Sequence, residues 1–236
     1  MYKIKYIALL AMASLFFVSC DDDDDDDDTV VENTSYFPLT VGSTWQRDRA
    51  EDGEYPAGTE NITVLEEETV NGMQYVKVDG DLAGSFHEDG IYFRNDGNKI
   101  YELIMHTSYT KFEDDGSSNE IDTLIYEEAL YLDWDQGVGT TWDEHNHLAF
   151  LSQGEIIFGV ESKKTITEKM DEMVVDGMTY MDVIKVENTF YQPFQDIYAS
   201  QTYNYYYSKG VGLIKGESIG SEGSIDHITL KSYSIK

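Results

Sequence analysis

His145-Asn146-His147 is the pair of side chains best spaced to hold a metal. On a strand, residues i and i+2 share a face, so both imidazoles would point the same way and could ligate Zn²⁺ or Cu²⁺. A third ligand would have to come from Asp135, Glu144 or His106. The plainer and stronger reading is a polar loop after Trp142. Gly216-Glu217-Ser218-Ile219-Gly220, with Asp226 and His227 behind it, has the spacing of a nucleophile elbow. An elbow needs a helix after its serine. Here Gly220-Ser221-Glu222-Gly223-Ser224 follows and leaves no room for one, so the segment reads as a hairpin loop and no catalytic residue is assigned. The acidic run Glu113 to Glu120 could attract a divalent cation weakly. It lacks the alternating carboxylates of an EF-hand, and a hairpin tip is the better reading. Tyr203, Tyr205 and Tyr207 recur at every second position and would share one strand face, with Asn204 and Tyr206 on the other. They could form an aromatic platform for a sugar or a peptide, although sheet core is the more ordinary use of such rings. No glycine-rich phosphate cradle is visible and no cofactor is implied.

The elements around these residues are strands. Seven Asx-Gly pairs punctuate the chain: 52–53, 71–72, 79–80, 89–90, 96–97, 115–116 and 176–177. Such pairs suit the type I′ turns whose twist matches antiparallel strands. Between them lie β-branched and aromatic runs such as Tyr75-Val76-Lys77-Val78 and Val183-Ile184-Lys185-Val186. Helical periodicity is poor; the best helical candidates, 122–132 and 165–173, also read as strands.

A repeat is also visible. Val41-Gly42-Ser43-Thr44-Trp45 recurs as Val138-Gly139-Thr140-Thr141-Trp142, and Val70-Asn71-Gly72-Met73 as Val175-Asp176-Gly177-Met178, at offsets of 97 and 105. The expectation is an all-β, antiparallel fold, sandwich or barrel-like, built from two related halves, 36–133 and 134–236. Closing one sheet with both halves would protect strand edges better than two separate half-sheets.

Upstream of this body lies a different kind of sequence. Lys3 and Lys5 precede an uncharged apolar run from Ile7 to Val18, which ends near Cys20, the chain's sole cysteine. A helix of a dozen residues spans roughly 20 Å, short of the ~30 Å of a bilayer core, so 1–19 reads as a secretory signal. Cys20 has no disulfide partner within the chain. Asp21 to Asp28 self-repel, stay solvated and extend, making 20–34 an acidic, disordered tether before a β-rich domain over 35–236. The chain has 16 Lys+Arg against 46 Asp+Glu, a net charge of −30. That field argues against nucleic acid and anionic lipid headgroups as partners.

Phe17-Val18-Ser19-Cys20 resembles the lipobox of bacterial lipoproteins, with Phe17 where leucine is commoner. The resemblance implies cleavage before Cys20, a diacylglycerol thioether on its sulfur and usually an amide-linked acyl chain on the new amine, with chains of the palmitate type. Two or three acyl chains, at about 0.8 kcal/mol per buried CH₂, hold a soluble body firmly on a membrane. The acidic run after Cys20 is similar to the export signal of surface-exposed outer-membrane lipoproteins of Bacteroidota. In enterobacteria an aspartate there would instead favour inner-membrane retention. Asp28-Thr29-Val30 and Asp122-Thr123-Leu124 look like the short O-glycosylation motif of the same bacteria.

Tyr36-Phe37-Pro38-Leu39-Thr40-Val41-Gly42-Ser43-Thr44-Trp45 and Tyr207-Ser208-Lys209-Gly210-Val211-Gly212-Leu213-Ile214-Lys215 resemble the opening and ending of a broad group of uncharacterised Bacteroidota lipoproteins. In this chain Gly42 would permit a tight turn, Trp45 would plug the core, and Gly210 and Gly212 would bend the chain onto a neighbouring strand. The expected function is a lipid-anchored envelope protein whose β domain binds or scaffolds a glycan, a peptide or another envelope protein without catalysis. The alternatives are a metal-dependent hydrolase using His145 and His147, and a carbohydrate-binding accessory protein of a glycan-uptake system.

Overall fold

The computed structural model describes the backbone of residues 34–50, 57–80, 91–106, 109–112, 118–121, 125–144, 150–152, 155–158, 161–194, 197–220 and 223–236. Cys20, with the signal and most of the tether, and the pair His145 and His147 lie outside the described residues.

Sixteen strands follow one another with no helix among the described residues. The first half supplies β1 (Thr44–Arg49), β2 (Gly58–Val70), β3 (Met73–Asp79), β4 (Ile91–Asp96), β5 (Lys99–His106), β6 (Tyr109–Phe112), β7 (Ser118–Ile121) and β8 (Ile125–Asp133). The second supplies β9 (Thr141–Glu144), β10 (Phe150–Ser152), β11 (Glu155–Phe158), β12 (Glu161–Val175), β13 (Met178–Phe194), β14 (Ile197–Ser208), β15 (Gly212–Gly220) and β16 (Gly223–Ser234). Twelve form one antiparallel sheet in the order β8-β5-β4-β3-β2-β1-β16-β15-β14-β13-β12-β9. The sheet curls so that its end strands, β8 and β9, come side by side, giving a nearly closed barrel. A small second sheet, β11-β10-β6-β7, joins one insertion from each half through a parallel contact of β6 with β10.

Local chemistry explains the hairpins. Val70 pairs with Met73 across Asn71-Gly72, and Val175 with Met178 across Asp176-Gly177. Both turns have φ of 50° at the Asx and 80° at the glycine, the positive pair that a type I′ turn needs. The β4–β5 turn departs from the Asp96-Gly97 expectation. Asp96 pairs with Lys99, so the two loop residues are Gly97 and Asn98, and only Gly97 has positive φ. A glycine at the first loop position is the type II′ arrangement. The second helical candidate, 165–173, is strand within β12, and the described part of the first, 125–132, is strand within β8.

The two halves match in more than sequence. Gly42 and Gly139 share φ of 87°, and each donates its N–H into the following long strand, to the Val64 and Ile166 carbonyls. Beside those acceptors each long strand carries one extra residue, Leu65 and Thr167. Such a bulge bends a strand and sharpens its twist, which helps a sheet to close. The halves join along β1 and β16 by a regular ladder from Thr44↔Ser234 to Arg49↔Ile228 with one bulge. The other join is different. No ladder links β8 to β9 among the described residues; side chains span the seam instead. Trp142 Nε1 donates to the Leu130 carbonyl at 3.2 Å, and Lys164 Nζ to that of Tyr131 at 2.9 Å.

One core fills the barrel, with Ile62, Val64, Phe93, Ile100, Leu132, Ile166, Ile184, Leu213, Ile214, Ile228 and Leu230 buried. Each such aliphatic side chain is worth about 1.5–3 kcal/mol on burial. The segment before β1 belongs to this core. Phe37 packs against Phe93 and Tyr131 at centroid distances of 5.0 and 5.3 Å, and those two rings lie 5.2 Å apart. Gly210 N donates to the Ser35 carbonyl at 2.7 Å, and Trp45 Nε1 to the Val211 carbonyl at 2.6 Å. The opening and closing motifs of the chain therefore meet in space and form one plug.

Candidate functional site

Strand β1 reads Thr-Trp-Gln-Arg-Asp-Arg, and its alternation places Arg47 on the same face as the buried Trp45. Arg47 is 2% exposed and is the largest fully buried side chain among the described residues. Its Nε and Nη1 have no hydrogen-bond acceptor among those residues. Burial pushes the guanidinium pKa down, opposed by Tyr131, Glu60 and Tyr207 nearby. Glu60 is the cross-strand neighbour of Arg47, but its carboxylate is engaged by Arg49, whose Nη1 lies 2.8 Å from Glu60 Oε1. Lys164 adds a further buried cation, with Nζ 4.0 Å from the Tyr131 ring centroid as well as on its carbonyl. Tyr207 Oη and Tyr131 Oη lie 3.4 Å apart. The interior of a strongly acidic protein thus carries Arg47, Arg49 and Lys164 against Glu60. The other buried carboxylate among the described residues, Asp133, is occupied by the Asp135 N–H and the Gln136 amide in the turn after β8. A small cavity opens beside Arg47, bounded by Phe37, Leu39, Trp45, Ile62, Val64 and Leu213 among others.

The tyrosines fall on the faces that their alternation implies. Tyr205 and Tyr207 are buried and belong to the core, and Tyr203 is partly buried. Tyr203 stacks on Tyr205 at 6.0 Å, meets Phe190 edge-on at 5.8 Å and lies 5.7 Å from the His227 ring. A ligand touching all three tyrosines would therefore have to enter the barrel. Tyr206, facing the other way, donates to Glu217 Oε2 at 2.8 Å.

The Gly216–Gly220 segment is strand, not the expected hairpin loop. Ser218 sits inside β15, paired with Tyr203 and Ile225. Asp226 pairs with Glu217 instead, so alternation sends it to the opposite face from Ser218, and Lys215 Nζ binds it at 2.8 Å. A triad cannot assemble across a sheet. Of the candidate third metal ligands, Asp135 is exposed in the turn after β8, while the side chains of Glu144 and His106 lie outside the described residues. Among the described residues no three His, Cys, Asp or Glu side chains group as a metal site.

A second polar cluster lies on the outer face. Arg94 grips Glu128 with two bonds, Nε to Oε1 at 2.8 Å and Nη2 to Oε2 at 3.0 Å, and Tyr75 Oη donates to Glu128 Oε1 at 2.7 Å. Burial, reinforced by the Glu128 bond, raises the Tyr75 pKa to about 12, and the Arg94 bonds lower that of Glu128. The second half repeats part of this face. Lys77 lies 5.7 Å over the Tyr92 ring, and Lys185 lies 5.7 Å over the Tyr206 ring.

Sequence reading missed Arg47, Glu60 and Lys164. The signal was present: Arg47 is two residues from a tryptophan read as core, and Lys164 is two residues from Ile166 in the same strand. Charge masked it, because a charged residue in a strand is ordinarily assigned to the wet face.

No protein-family model and no curated protein matches the chain. Among solved structures it resembles a candidate lipoprotein from Parabacteroides distasonis ATCC 8503, at 14% identity and a TM-score of 0.47, covering 85% of this chain and 99% of that one. It also resembles a candidate exported protein with a YmcC-like fold from Bacteroides fragilis NCTC 9343, at 8% identity and a TM-score of 0.46, again covering 85% of this chain and 99% of that one.

Proposed function

We propose that this chain is a lipid-anchored protein of the bacterial cell envelope, held at the outer membrane and displayed outside it, whose β body binds or scaffolds without catalysis. The observation that carries the reading is Cys20. It is the sole thiol, it closes an apolar run of signal length, and eight aspartates follow it directly. Acyl chains on Cys20 would supply the membrane partner, and the aspartates a solvated spacer. The classes of partner that fit are a glycan, a peptide or another envelope protein.

Four titratable groups of the body are held away from the pH range of acid–base catalysis. General acids and bases work best with pKa values near the operating pH. Here Tyr75 and Tyr206 are pushed up by burial, Lys231 is raised by its bonds to Asp176 and Asp48, and Glu128 is pushed down by Arg94. Each moves away from neutrality, locked by its strand neighbours.

Growth with radiolabelled palmitate tests the anchor. Wild-type protein should carry label and partition with membranes, and Cys20→Ser should do neither. An intact Met1 with an unmodified Cys20 thiol in the native protein would overturn the proposal. The rival hydrolase requires a metal on His145 and His147. Elemental analysis should find no stoichiometric zinc or copper, with no change in His145→Ala/His147→Ala; a metal lost in that variant would favour the rival.

A further inference from the structure

We propose that the barrel interior holds a chloride-sized anion on the Arg47 guanidinium. This inference is independent of the lipid anchor. It begins with charge. Arg47 is buried, its Nε and Nη1 lack acceptors among the described residues, and the one carboxylate facing it across the strand pair, Glu60, is shared with Arg49 at 2.8 Å. A buried cation needs a counter-charge or a full set of hydrogen bonds. The groups acting on it besides Glu60 are the phenol side chains of Tyr131 and Tyr207.

The cavity beside Arg47 says what kind of occupant fits. The volume open to the centre of a water-sized sphere is ≈ 10 Å³. That is room for about one water or one monatomic ion, and too little for phosphate, sulfate or the end of a substrate. The side chains around it offer donors and no acceptor. Trp45 and Arg47 carry the N–H groups, and the Trp45 donor is already used by the Val211 carbonyl. A buried water makes about three hydrogen bonds and must donate as well as accept. A halide only accepts, so it suits a wall of guanidinium N–H and hydrocarbon better than water does. The apolar lining also favours an ion that sheds its hydration shell readily, which ranks bromide and chloride above fluoride. The Phe37-Pro38-Leu39 plug borders the cavity.

Thermal unfolding of the purified mature protein in sodium bromide, chloride or fluoride at one fixed ionic strength tests this. A hundredfold excess of a bound halide over its Kd raises Tm by roughly 5–10 °C relative to fluoride. Arg47→Met should abolish the difference between halides, and Arg47→Lys should keep a weaker one. Crystals soaked in sodium bromide should show an anomalous peak at the Arg47 guanidinium, and this readout serves even if the Met variant fails to fold. Equal Tm values in all three salts, a halide effect that survives in Arg47→Met, or bromide-soaked density at Arg47 with no anomalous signal would each overturn the proposal.

Discussion

At the scale of single residues, the protein is held by groups whose surroundings lock them in one state. Tyr75 has its folded pKa raised to about 12, from an unfolded value of about 10. A raised pKa means that the folded state holds the proton more tightly. The contribution is complete below about pH 10 and is lost as pH rises from there through about 12. Tyr75→Phe should therefore flatten the fall in stability over that window, measured by urea unfolding across an alkaline series. Glu128 works in the opposite direction. Its pKa is lowered, so its contribution is present above the ordinary carboxylate range and disappears as pH falls through the lowered value. Gly212 is held by its backbone. Its φ is +101°, while an added Cβ would meet Trp45 Nε1 at 3.5 Å and Pro38 Cδ at 3.6 Å, ordinary contacts. Gly212→Ala should thus cost about 1–3 kcal/mol through backbone strain alone. At about 2–4 °C per kcal/mol, calorimetry should register a lower Tm, with an unchanged circular dichroism spectrum.

At the scale of elements, the two joins of the barrel differ in kind. Strands β1 and β16 share a backbone ladder, whereas β8 meets β9 through the Trp142 side chain, with Lys164 of the neighbouring β12 reaching across to the Tyr131 carbonyl. Trp142→Phe removes the donor to the Leu130 carbonyl and should cost about 1 kcal/mol. Hydrogen exchange should quicken at β8 and β9 and stay unchanged at β1 and β16. An even loss of protection around the barrel would show that the seam is no weaker than the ladder. Strand identity itself was legible beforehand, because Asn71-Gly72 and Asp176-Gly177 mark turns with a steric requirement that few residues meet. The β4–β5 turn was read one residue early, since Asp96-Gly97 and Gly97-Asn98 are both plausible loop pairs. Only pairing of Asp96 with Lys99 chooses between them. Gly216–Gly220 was read as loop because no helix fits after Ser218, yet Gly216 lies in a strand because its missing Cβ makes room for Tyr205 and Ile228.

At the scale of the whole molecule, each half depends on the other to cover its edges. The first strand of each half lies against the last strand of the other: β1 against β16, and β9 against β8. Fragments 34–133 and 134–236 should not fold as monomers, because each exposes two strand edges and half a core. Mixing them should restore a cooperative transition and a heterodimer by size-exclusion chromatography; a monomeric, cooperatively folded fragment would count against one shared sheet. The duplicated motifs, the turns and the alternation of Tyr203, Tyr205 and Tyr207 determined an all-β antiparallel body from sequence alone, because turn sterics and side-chain alternation are local properties. The lipobox-like run ending at Cys20 is an expectation from sequence that lies outside the described residues. The curl of one sheet into a near-closed barrel, the meeting of the two terminal motifs in one plug and the burial of Arg47 were decided only by tertiary structure. Those depend on which distant strands pair and how far the sheet bends, and the charge of a residue does not reveal which way its strand will face.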